Sequence, residues 1–220
     1  MADSMPNKPR VGEWGLYAIV DPEHCIRHNP LRAARLLLEG GARALQLRDK
    51  MSPFDDRLAL ALRLKALCDE YGAHFIVNDD PGLALAAGAD GVHVGQDDTP
   101  VSEARGLLGP DAIIGLSTHT RGQALEGQHS GADYLGFGPM FMTQTKDQPY
   151  APLGVDEARW AARTLTLPFV AIGGIARDNV GLLAEAGTRN AAAIGALLRA
   201  GDIKAEARFF AEALRYGKNG

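Results

Sequence analysis

The sequence has little of what stabilises small secreted proteins or membrane proteins. Only two of its 220 residues are cysteines, Cys25 and Cys68, which excludes a disulfide framework and favours a cytoplasmic setting. No uninterrupted apolar run approaches the roughly 18 residues of a membrane span, and the first dozen residues lack the apolar centre of a signal peptide. Basic residues are not in excess either, because the formal net charge is −4. We therefore expect neither a membrane nor a nucleic acid as partner.

What the sequence does contain is a repeating cycle. A short apolar run is followed by a polar or glycine-containing break and then by a helical stretch. The cycle occurs eight times, with strands predicted at 15–20, 43–47, 73–77, 90–94, 112–116, 132–137, 168–172 and 190–194. This pattern predicts an α/β fold, a single (β/α)₈ TIM barrel over residues 14–220 preceded by a flexible leader over residues 1–13. The alanine-rich eighth strand leaves an open doubly wound sheet as the alternative.

Helix boundaries are marked by proline and glycine. Four helices are predicted to start with a capping residue followed by proline at the first helical position, and five are predicted to end at a glycine in the left-handed conformation. The predicted starts are Asn29-Pro30, Ser52-Pro53, Asp80-Pro81 and Thr99-Pro100, and the predicted ends are Gly41, Gly72, Gly88, Gly131 and Gly187. Two apolar helix faces are also predicted, one with Leu58, Leu60, Ala61, Leu62, Leu64 and Leu67 over 54–71, the other with Ala205, Phe209, Ala213 and Leu214 over 203–216.

Polar residues cluster after the carboxyl ends of the predicted strands, where the chemistry of such barrels takes place. Gln46, Arg48 and Lys50 alternate and are expected to project towards the barrel mouth. Asp79 and Asp98 follow adjacent strands, and two carboxylates can hold Mg²⁺ whose other ligands are water and phosphate oxygens. The alternative for each group is an ordinary solvated strand end or a helix start.

Three further segments look able to bind anions. Residues 143–146 offer hydroxyls and a lysine in a long stretch after the sixth strand, although they could equally form a surface loop. Gly173-Gly174 and Gly195 follow the seventh and eighth strands, where backbone amides bind phosphate in these barrels. Together with Arg48 and Lys50, these segments predict two anion sites at one mouth.

Histidines are less informative. His93 lies inside a strand and is expected to be a packed, hydrogen-bonded residue rather than a general base. His119 lies beyond the fifth strand and is a candidate acid or base, with an ordinary loop histidine as the equal alternative. His24, Cys25 and His28 offer too few ligands for a structural zinc.

Over about residues 15–195, the sequence resembles the thiamine-phosphate synthase family. The resemblance lies in the order and spacing of QLRDK, VNDD, GADGVHVGQDD, IIGLSTHT, GADYLGFGPMFMTQTK and PFVAIGGI. The runs GVHVGQDD and TQTK are the most specific, whereas AIGGI is shared by many phosphate-binding barrels. The resemblance implies a transferase that joins a hydroxymethylpyrimidine diphosphate to a thiazole phosphate, with release of pyrophosphate.

The resemblance also implies a role for each matching residue. Those implied to bind the pyrimidine diphosphate are Gln46, Leu47, Arg48, Asp49, Lys50, Asn78, Ser117 and Lys146. Those implied to bind the thiazole phosphate are Thr143, Gln144, Thr145, Gly173, Gly174, Ile194 and Gly195. Asp79 and Asp98 would bind Mg²⁺, and the catalytic groups would be Arg48, Lys50, Ser117 and Lys146.

The eighth cycle departs from the family pattern. Asn190 stands where a glycine is usual and Gly195 where a serine is usual, which affects the implied thiazole phosphate site. Three alternatives therefore stay open: a thiazole tautomerase-like barrel with His119 as its acid or base, a non-catalytic binder of thiamine precursors, and another phosphate-binding barrel enzyme. A homo-oligomer is compatible with the sequence.

Overall fold

The computed structural model describes residues 7–142 and 150–216, and these residues form a closed barrel of eight parallel strands. Each strand pairs with its sequence neighbour, and the eighth pairs with the first. The strands are β1 (Leu16–Val20), β2 (Ala44–Leu47), β3 (His74–Asn78), β4 (Gly91–Val94), β5 (Ile113–Thr118), β6 (Tyr134–Phe137), β7 (Phe169–Ala171) and β8 (Ala191–Ala193). The predicted (β/α)₈ barrel is confirmed, including its weak eighth strand, and the open sheet is excluded.

Helices separate successive strands and pack around the barrel. They are α1 (Pro30–Glu39), α2 (Phe54–Glu70), α3 (Pro81–Ala86), α4 (Val101–Leu108), α5 (Arg121–Gly127), α6 (Val155–Thr164), α7 (Val180–Glu185), α8 (Gly195–Leu198) and α9 (Ile203–Tyr216). In the described ranges, no helix combines the length and the apolar character needed to cross a membrane.

Half of the predicted helix starts are displaced by one residue. Asn29 and Asp80 cap α1 and α3 as predicted, each accepting a bond from a backbone amide three residues later. Pro53 and Pro100, predicted at the first helical position, are instead the capping residues of α2 and α4. Their ψ angles of 156° and 144° are extended, so the helix begins only at the next residue. The five helix-ending glycines are confirmed, since their φ angles lie between 59° and 106°.

On both helices, the buried residues differ in part from the predicted apolar face. On α2, Leu62 is half exposed, whereas Cys68 is fully buried. On α9, the buried positions are Ile203, Ala207, Phe210, Ala211 and Leu214, and the predicted Ala205 faces solvent. Which residues of a helix are buried depends on the elements that it packs against. For example, α9 packs against α1 and α7 as well as against β1.

The apolar core has two parts. The larger lies between the strands and the helices, and the smaller fills the barrel interior. At the amino end of the interior, the indole of Trp14 contacts the rings of Tyr17 and Tyr134 edge-on and donates to His74 Nδ1 at 2.9 Å. Gly115 of β5 leaves room above them, since a Cβ there would overlap Tyr134 and His93. The amino end is thereby closed, and the interior opens only towards the carboxyl ends of the strands.

The described part of the predicted leader, residues 7–13, contacts the barrel. Lys8 Nζ lies 2.7 Å from Asp69 Oδ1 of α2 and 2.6 Å from Asp90 Oδ1 just before β4. Gly12 packs against Pro168, ahead of β7. This segment therefore joins elements on opposite sides of the amino end.

Candidate active site

A cavity at the carboxyl ends of the strands collects most of the predicted polar residues. Its lining combines cationic, acidic and amide side chains over an apolar wall from β1, β7 and β8; the polar ones are Gln46, Arg48, Lys50, Asn78, Asp79, His93, Asp98 and Ser117. A larger groove of about 720 Å³ lies at the amino end, around Arg163, Pro168 and Asn190. We assign the site to the smaller cavity, because its lining brings paired carboxylates and cations together at the ends of strands that are fixed by the barrel.

Two cations enter the cavity from the end of β2, each beside a carboxylate. Arg48 Nη1 donates to Asp21 Oδ2 at 2.5 Å, and Asp21 is almost completely buried after β1. Arg48 Nε is buried and has no bond to any of the described residues. Lys50 Nζ lies 3.2 Å from Asp79 Oδ2 at the end of β3, and about half of the Lys50 side chain is exposed. This rim can therefore neutralise an anion that approaches from the mouth.

Asp79 and Asp98 form a carboxylate pair. Partial burial, together with the adjacent carboxyl of Asp79, raises the pKa of Asp98 above its ordinary value, although the amide of Gly95 and the charge of Lys50 oppose this shift. Gly95 N donates to Asp98 Oδ2 at 2.7 Å, which fixes one carboxylate oxygen. Two carboxylates held side by side in this way favour a bound cation, which would remove their repulsion.

The backbone of Asp79 is strained at this point. Its φ is 64°, the only positive value among the described residues other than glycine. The Asp79 amide is held by the carbonyl of His93 at 2.8 Å, on the neighbouring strand β4. A left-handed aspartate costs about 1 kcal/mol or more and persists only where the surrounding structure imposes it. Here that conformation directs the carboxylate towards Lys50 and Asp98.

Below the charged rim, five side chains form one hydrogen-bonded chain across the barrel. Gln46 Nε2 donates to Tyr17 Oη at 3.0 Å, and the hydroxyls of Tyr17 and Tyr134 lie 2.9 Å apart. His93 Nδ1 is 3.0 Å from Tyr134 Oη, and His93 Nε2 is 2.9 Å from Ser117 Oγ. Burial raises the pKa of both tyrosines well above 10, so both hydroxyls keep their protons. This chain links the two predicted substrate-binding residues Gln46 and Ser117.

His119 is held at the edge of the mouth. Its Nδ1 lies 2.7 Å from the carbonyl oxygen of Gly138, and its ring stacks on Tyr150 with 4.2 Å between centroids. His119 does not line the cavity that contains Ser117 and Asp79. Its predicted role as an acid or base stays a prediction.

The glycines after β7 pack against the segment that follows β6. Gly173 and Gly174 have φ angles of 96° and 62°, and a Cβ on Gly174 would overlap the backbone of Phe141 and Met142. Phe141 N donates to Gly173 O at 3.0 Å, so the two loops are joined at the rim. Ile194 lines the cavity, and Gly195 follows it directly as the first residue of α8. The residues of the predicted second anion site therefore lie at the ends of β7 and β8, and β1 separates them from Arg48 after β2.

Some predicted site residues lie elsewhere. The side chain of Leu47 is in the core between strands and helices, and Asp49 Oδ1 accepts bonds from the backbone of Met51 and Ser52. Neither side chain lines the cavity. The predicted residues Thr143, Gln144, Thr145 and Lys146 lie outside the described residues.

Sequence reasoning missed Tyr17 and Tyr134. Both are fully buried, and both line the cavity through their hydroxyls. An aromatic residue in a strand is typical of the apolar core and does not by itself indicate a site. The available signal was the alternation of inward and outward side chains along each strand. Tyr17 is paired with Ala44 and lies two positions before Ile19, which pairs with Gln46, so Tyr17 and Gln46 share the inner face of the barrel.

Comparison with known proteins shows the family to which the chain belongs. A family model described as thiamine monophosphate synthase matches residues 16–197. The chain is 46% identical over 190 residues to a thiamine-phosphate synthase of Shouchella clausii, covering 86% of this chain and 91% of the relative. A thiamine-phosphate synthase of Chlorobium phaeovibrioides is 46% identical over 180 residues, with 81% and 86% covered.

Solved structures show the same likeness. A thiamine phosphate pyrophosphorylase from Pyrococcus furiosus superposes with a TM-score of 0.85 and 32% identity, over 94% of this chain and 98% of that one. A 3-hexulose-6-phosphate synthase shares the fold alone, at a TM-score of 0.65 and 18% identity. Similarity that spans the barrel at this level of identity shows that the chain belongs to the thiamine monophosphate synthase family of transferases.

Proposed function

We propose that the protein condenses 4-amino-2-methyl-5-hydroxymethylpyrimidine diphosphate with 4-methyl-5-hydroxyethylthiazole phosphate, giving thiamine phosphate and pyrophosphate. Family membership supports the reaction class. The observation that carries the proposal is the charged rim, where Lys50 contacts Asp79 beside Asp98 and where Arg48, paired with Asp21, lines the same cavity. A diphosphate leaving group needs this combination of cations and metal-binding carboxylates.

The site fits Mg²⁺. Among the described residues, no cluster of three or more His, Cys, Asp or Glu side chains could hold a metal. Mg²⁺ does not need one, since it typically takes one or two carboxylates and completes its shell with water and substrate phosphate oxygens. Asp79 and Asp98 would be those ligands, and their mutual repulsion is what a cation would relieve. When bound, the ion would neutralise charge on the departing diphosphate.

The chain's own residues would bind and orient the pyrimidine diphosphate. Arg48 and Lys50, with Lys146 predicted beside them, would hold the diphosphate through charge-assisted hydrogen bonds. Gln46 and Asn78 would orient the pyrimidine through hydrogen bonds at the cavity wall. Ser117, bonded to His93 Nε2 at 2.9 Å, would contact the same substrate. The backbones of Leu47 and Asp49 would contribute to this rim, because their side chains are engaged elsewhere.

The second substrate would lie at the rim formed by the loops after β7 and β8. Gly173, Gly174, Ile194 and Gly195, with Thr143, Gln144 and Thr145, would hold the thiazole phosphate. In the dissociative route, the C–O bond to the diphosphate breaks first and a pyrimidine-stabilised methylene cation forms; the thiazole nitrogen then supplies the electron pair of the new C–N bond. Because the nucleophile belongs to the substrate, the protein's task is proximity and charge neutralisation. We include a cytoplasmic setting in the proposal because Cys25 and Cys68 are both free thiols.

The decisive experiment incubates the purified protein with both substrates and Mg²⁺ and measures thiamine phosphate by its fluorescent oxidation product. We expect product, and we expect EDTA to abolish it. Absence of product from folded protein would exclude the synthase. A thiazole isomerisation seen by NMR would then favour the tautomerase-like alternative, and tight binding of the precursors without turnover would favour the binder.

The site assignment has its own test. We expect Lys50→Ala and Asp79→Ala each to lower kcat/KM by about 100-fold or more, as expected from losing a group that stabilises a developing charge. Arg163→Ala is the matched control, because Arg163 is exposed at the opposite end of the barrel. Circular dichroism would show that each variant is folded, and wild-type turnover in either site variant would refute the assignment.

A further inference from the structure

The start of α8 has an unusual arrangement of side chain and backbone. A Cβ on Gly195 would lie 2.9 Å from Cζ and 3.2 Å from Nε of Arg199, and closer still to Nη2. The guanidinium therefore occupies the space that any side chain at position 195 would fill. Glycine is not required here by the backbone, because Gly195 does not have a positive φ. What the missing Cβ provides is room for the Arg199 guanidinium.

The charge of Arg199 is not used within the described structure. Arg199 is exposed, and none of the described carboxylates lies within ion-pair distance of it. The contrast is Arg177, on the neighbouring loop after β7. Its Nη2 lies 2.5 Å from Glu206 Oε2, and its guanidinium stacks 4.0 Å above the ring of Phe209. Arg177 is thus engaged with α9, whereas Arg199 presents its donors next to Gly195.

This guanidinium lies beside the start of the loop after β8, where the second anion site is proposed. Gly195 follows Ile194, which lines the cavity, and Ile194 follows the carboxyl end of β8. A planar guanidinium can bind a phosphate through two parallel hydrogen bonds, which a serine hydroxyl at position 195 could not do. We propose that Arg199 is a phosphate-binding residue for the thiazole phosphate substrate, and that Gly195 is required to admit its guanidinium. This inference rests on the proposed function.

The proposal accounts for one departure from the family pattern. The serine that is usual at position 195 brings a hydroxyl to this rim, and its replacement by glycine removes that donor. In this chain the same substitution makes room for a cation from four residues later, one helical turn away. The two changes are therefore coupled: a side chain restored at position 195 would displace the guanidinium.

Steady-state kinetics on the intact protein test this. We expect Arg199→Ala to raise the KM for thiazole phosphate by roughly 10- to 100-fold, the size of a lost charge-assisted contact, with the KM for the pyrimidine diphosphate unchanged. With the unphosphorylated thiazole alcohol, the variant and the wild type should be equal. Arg163→Ala removes an equally exposed arginine at the far end of the barrel and should change neither KM.

A second variant tests the coupling. Gly195→Ala should raise the same KM by expelling the guanidinium. The KM of the double variant Gly195→Ala/Arg199→Ala should not exceed that of the single variant with the higher KM, because the same interaction is lost in each case. If Gly195→Ala does not fold, the Arg199→Ala series still decides. An unchanged KM in Arg199→Ala, or equal rises for both substrates, would overturn the proposal.

Calorimetry separates this inference from the proposed function. Thiazole phosphate is titrated into wild type and Arg199→Ala in the presence of Mg²⁺ and pyrophosphate, which fill the other anion site. If the wild type makes no thiamine phosphate but binds thiazole phosphate in an Arg199-dependent manner, the synthase proposal fails and this inference stands. Equal binding by both proteins, or no binding by the wild type, overturns the role of Arg199.

Discussion

The residue pair His74 and Trp14 gives the barrel a pH-sensitive contact at its closed end. The indole donates to His74 Nδ1, so this nitrogen must be unprotonated. Burial lowers the pKa of His74 below 6.5, the nearby charges of Lys8 and Lys65 lower it further, and Asp90 opposes them. Unfolded chains therefore take up a proton at His74 at a higher pH than the folded protein does.

It follows that stability should fall with acidification. Above the unfolded pKa of 6.5, His74 is neutral in both the folded and the unfolded state, and the stability contributed by its neutral form is fully present. This stability is lost as the pH falls through the folded pKa. We expect His74→Gln to flatten the decrease in unfolding free energy between about pH 7.5 and about pH 5.5. Urea unfolding, monitored by tryptophan fluorescence at several pH values, measures the unfolding free energy. The exposed His129→Gln should keep the wild-type slope, and an unchanged slope in His74→Gln would contradict this account.

At the scale of elements, β8 is the weakest strand. It has three residues, all alanine, and its pairing with β7 consists of one residue pair, Ala171 with Ala191. Asn190 compensates just before the strand: its Oδ1 accepts from the amides of Trp14 and Gly15 at 3.0 and 3.2 Å, and its Nδ2 donates to Phe169 O at 3.2 Å. One side chain therefore joins the starts of β7, β8 and β1.

In two earlier cycles, an aspartate side chain joins the starts of neighbouring strands. Asp90 accepts from the amide of Phe75 at 2.7 Å, and Asp133 accepts from the amide of Ile114 at 2.7 Å. Each carboxylate precedes its own strand and binds the start of the strand before it. Counted from the helix-ending glycine, the equivalent position in the eighth cycle is Arg189, which cannot accept. Asn190, one residue later, bonds instead to the strands on both sides. The departure at position 190 is thus explained by barrel closure.

We expect Asn190→Ala to destabilise the protein by about 2–4 kcal/mol, because it removes three hydrogen bonds to backbone groups, two of them buried and one partly buried. Denaturant unfolding measures the loss. Asn29→Ala is the control, since Asn29 makes a single exposed capping bond worth about 1 kcal/mol. A loss at Asn190 no larger than that at Asn29 would show that water replaces these contacts.

The strands were predictable because an apolar, β-branched run between turn residues can be recognised from the local sequence alone. β8 was predictable only from the eightfold cycle, since alanine does not favour a strand. The phase of α2 and α9 was not predictable in full: whether Leu62 or Ala205 is buried depends on which neighbouring helix covers it. Within the site, strand ends located Arg48, Lys50 and Asp79, whereas Tyr17 and Tyr134 were missed because their hydroxyls meet only after the barrel closes.

At the scale of the whole molecule, Lys8 connects the amino-terminal segment to two distant elements. Its ammonium lies between Asp69 and Asp90, and all three side chains are between 19% and 25% exposed. Burial opposes the charged form, but the contacts with the two carboxylates outweigh it and raise the pKa of Lys8. Removing the lysine would leave Asp90 without its cation, whereas Asp69 would keep its contact with Lys65 Nζ at 2.5 Å.

We expect Lys8→Met to lower the unfolding free energy by about 1–2 kcal/mol at low salt, and by less at high salt, since such contacts are partly screened. Thermal unfolding at two salt concentrations measures both effects. Lys204→Met is the control, because Lys204 contacts the single carboxylate of Glu39 and its side chain is 41% exposed. Equal losses in the two variants would mean that the clustered carboxylates add nothing.

The hydrogen-bonded chain beneath the cavity has a direction. The NH2 group of Gln46 can only donate, and Tyr17 accepts from it. If each hydroxyl donates once along the chain, Tyr17 donates to Tyr134 and Tyr134 donates to Nδ1 of His93. The imidazole is then the Nε2–H tautomer and donates to Ser117 Oγ. The Ser117 hydroxyl, which accepts from His93, can then donate its own proton to a ligand in the cavity. A glutamine on the far strand thus sets the polarity of a serine that it does not touch, and the ring-nitrogen chemical shifts of His93 would reveal the opposite tautomer if the order were reversed.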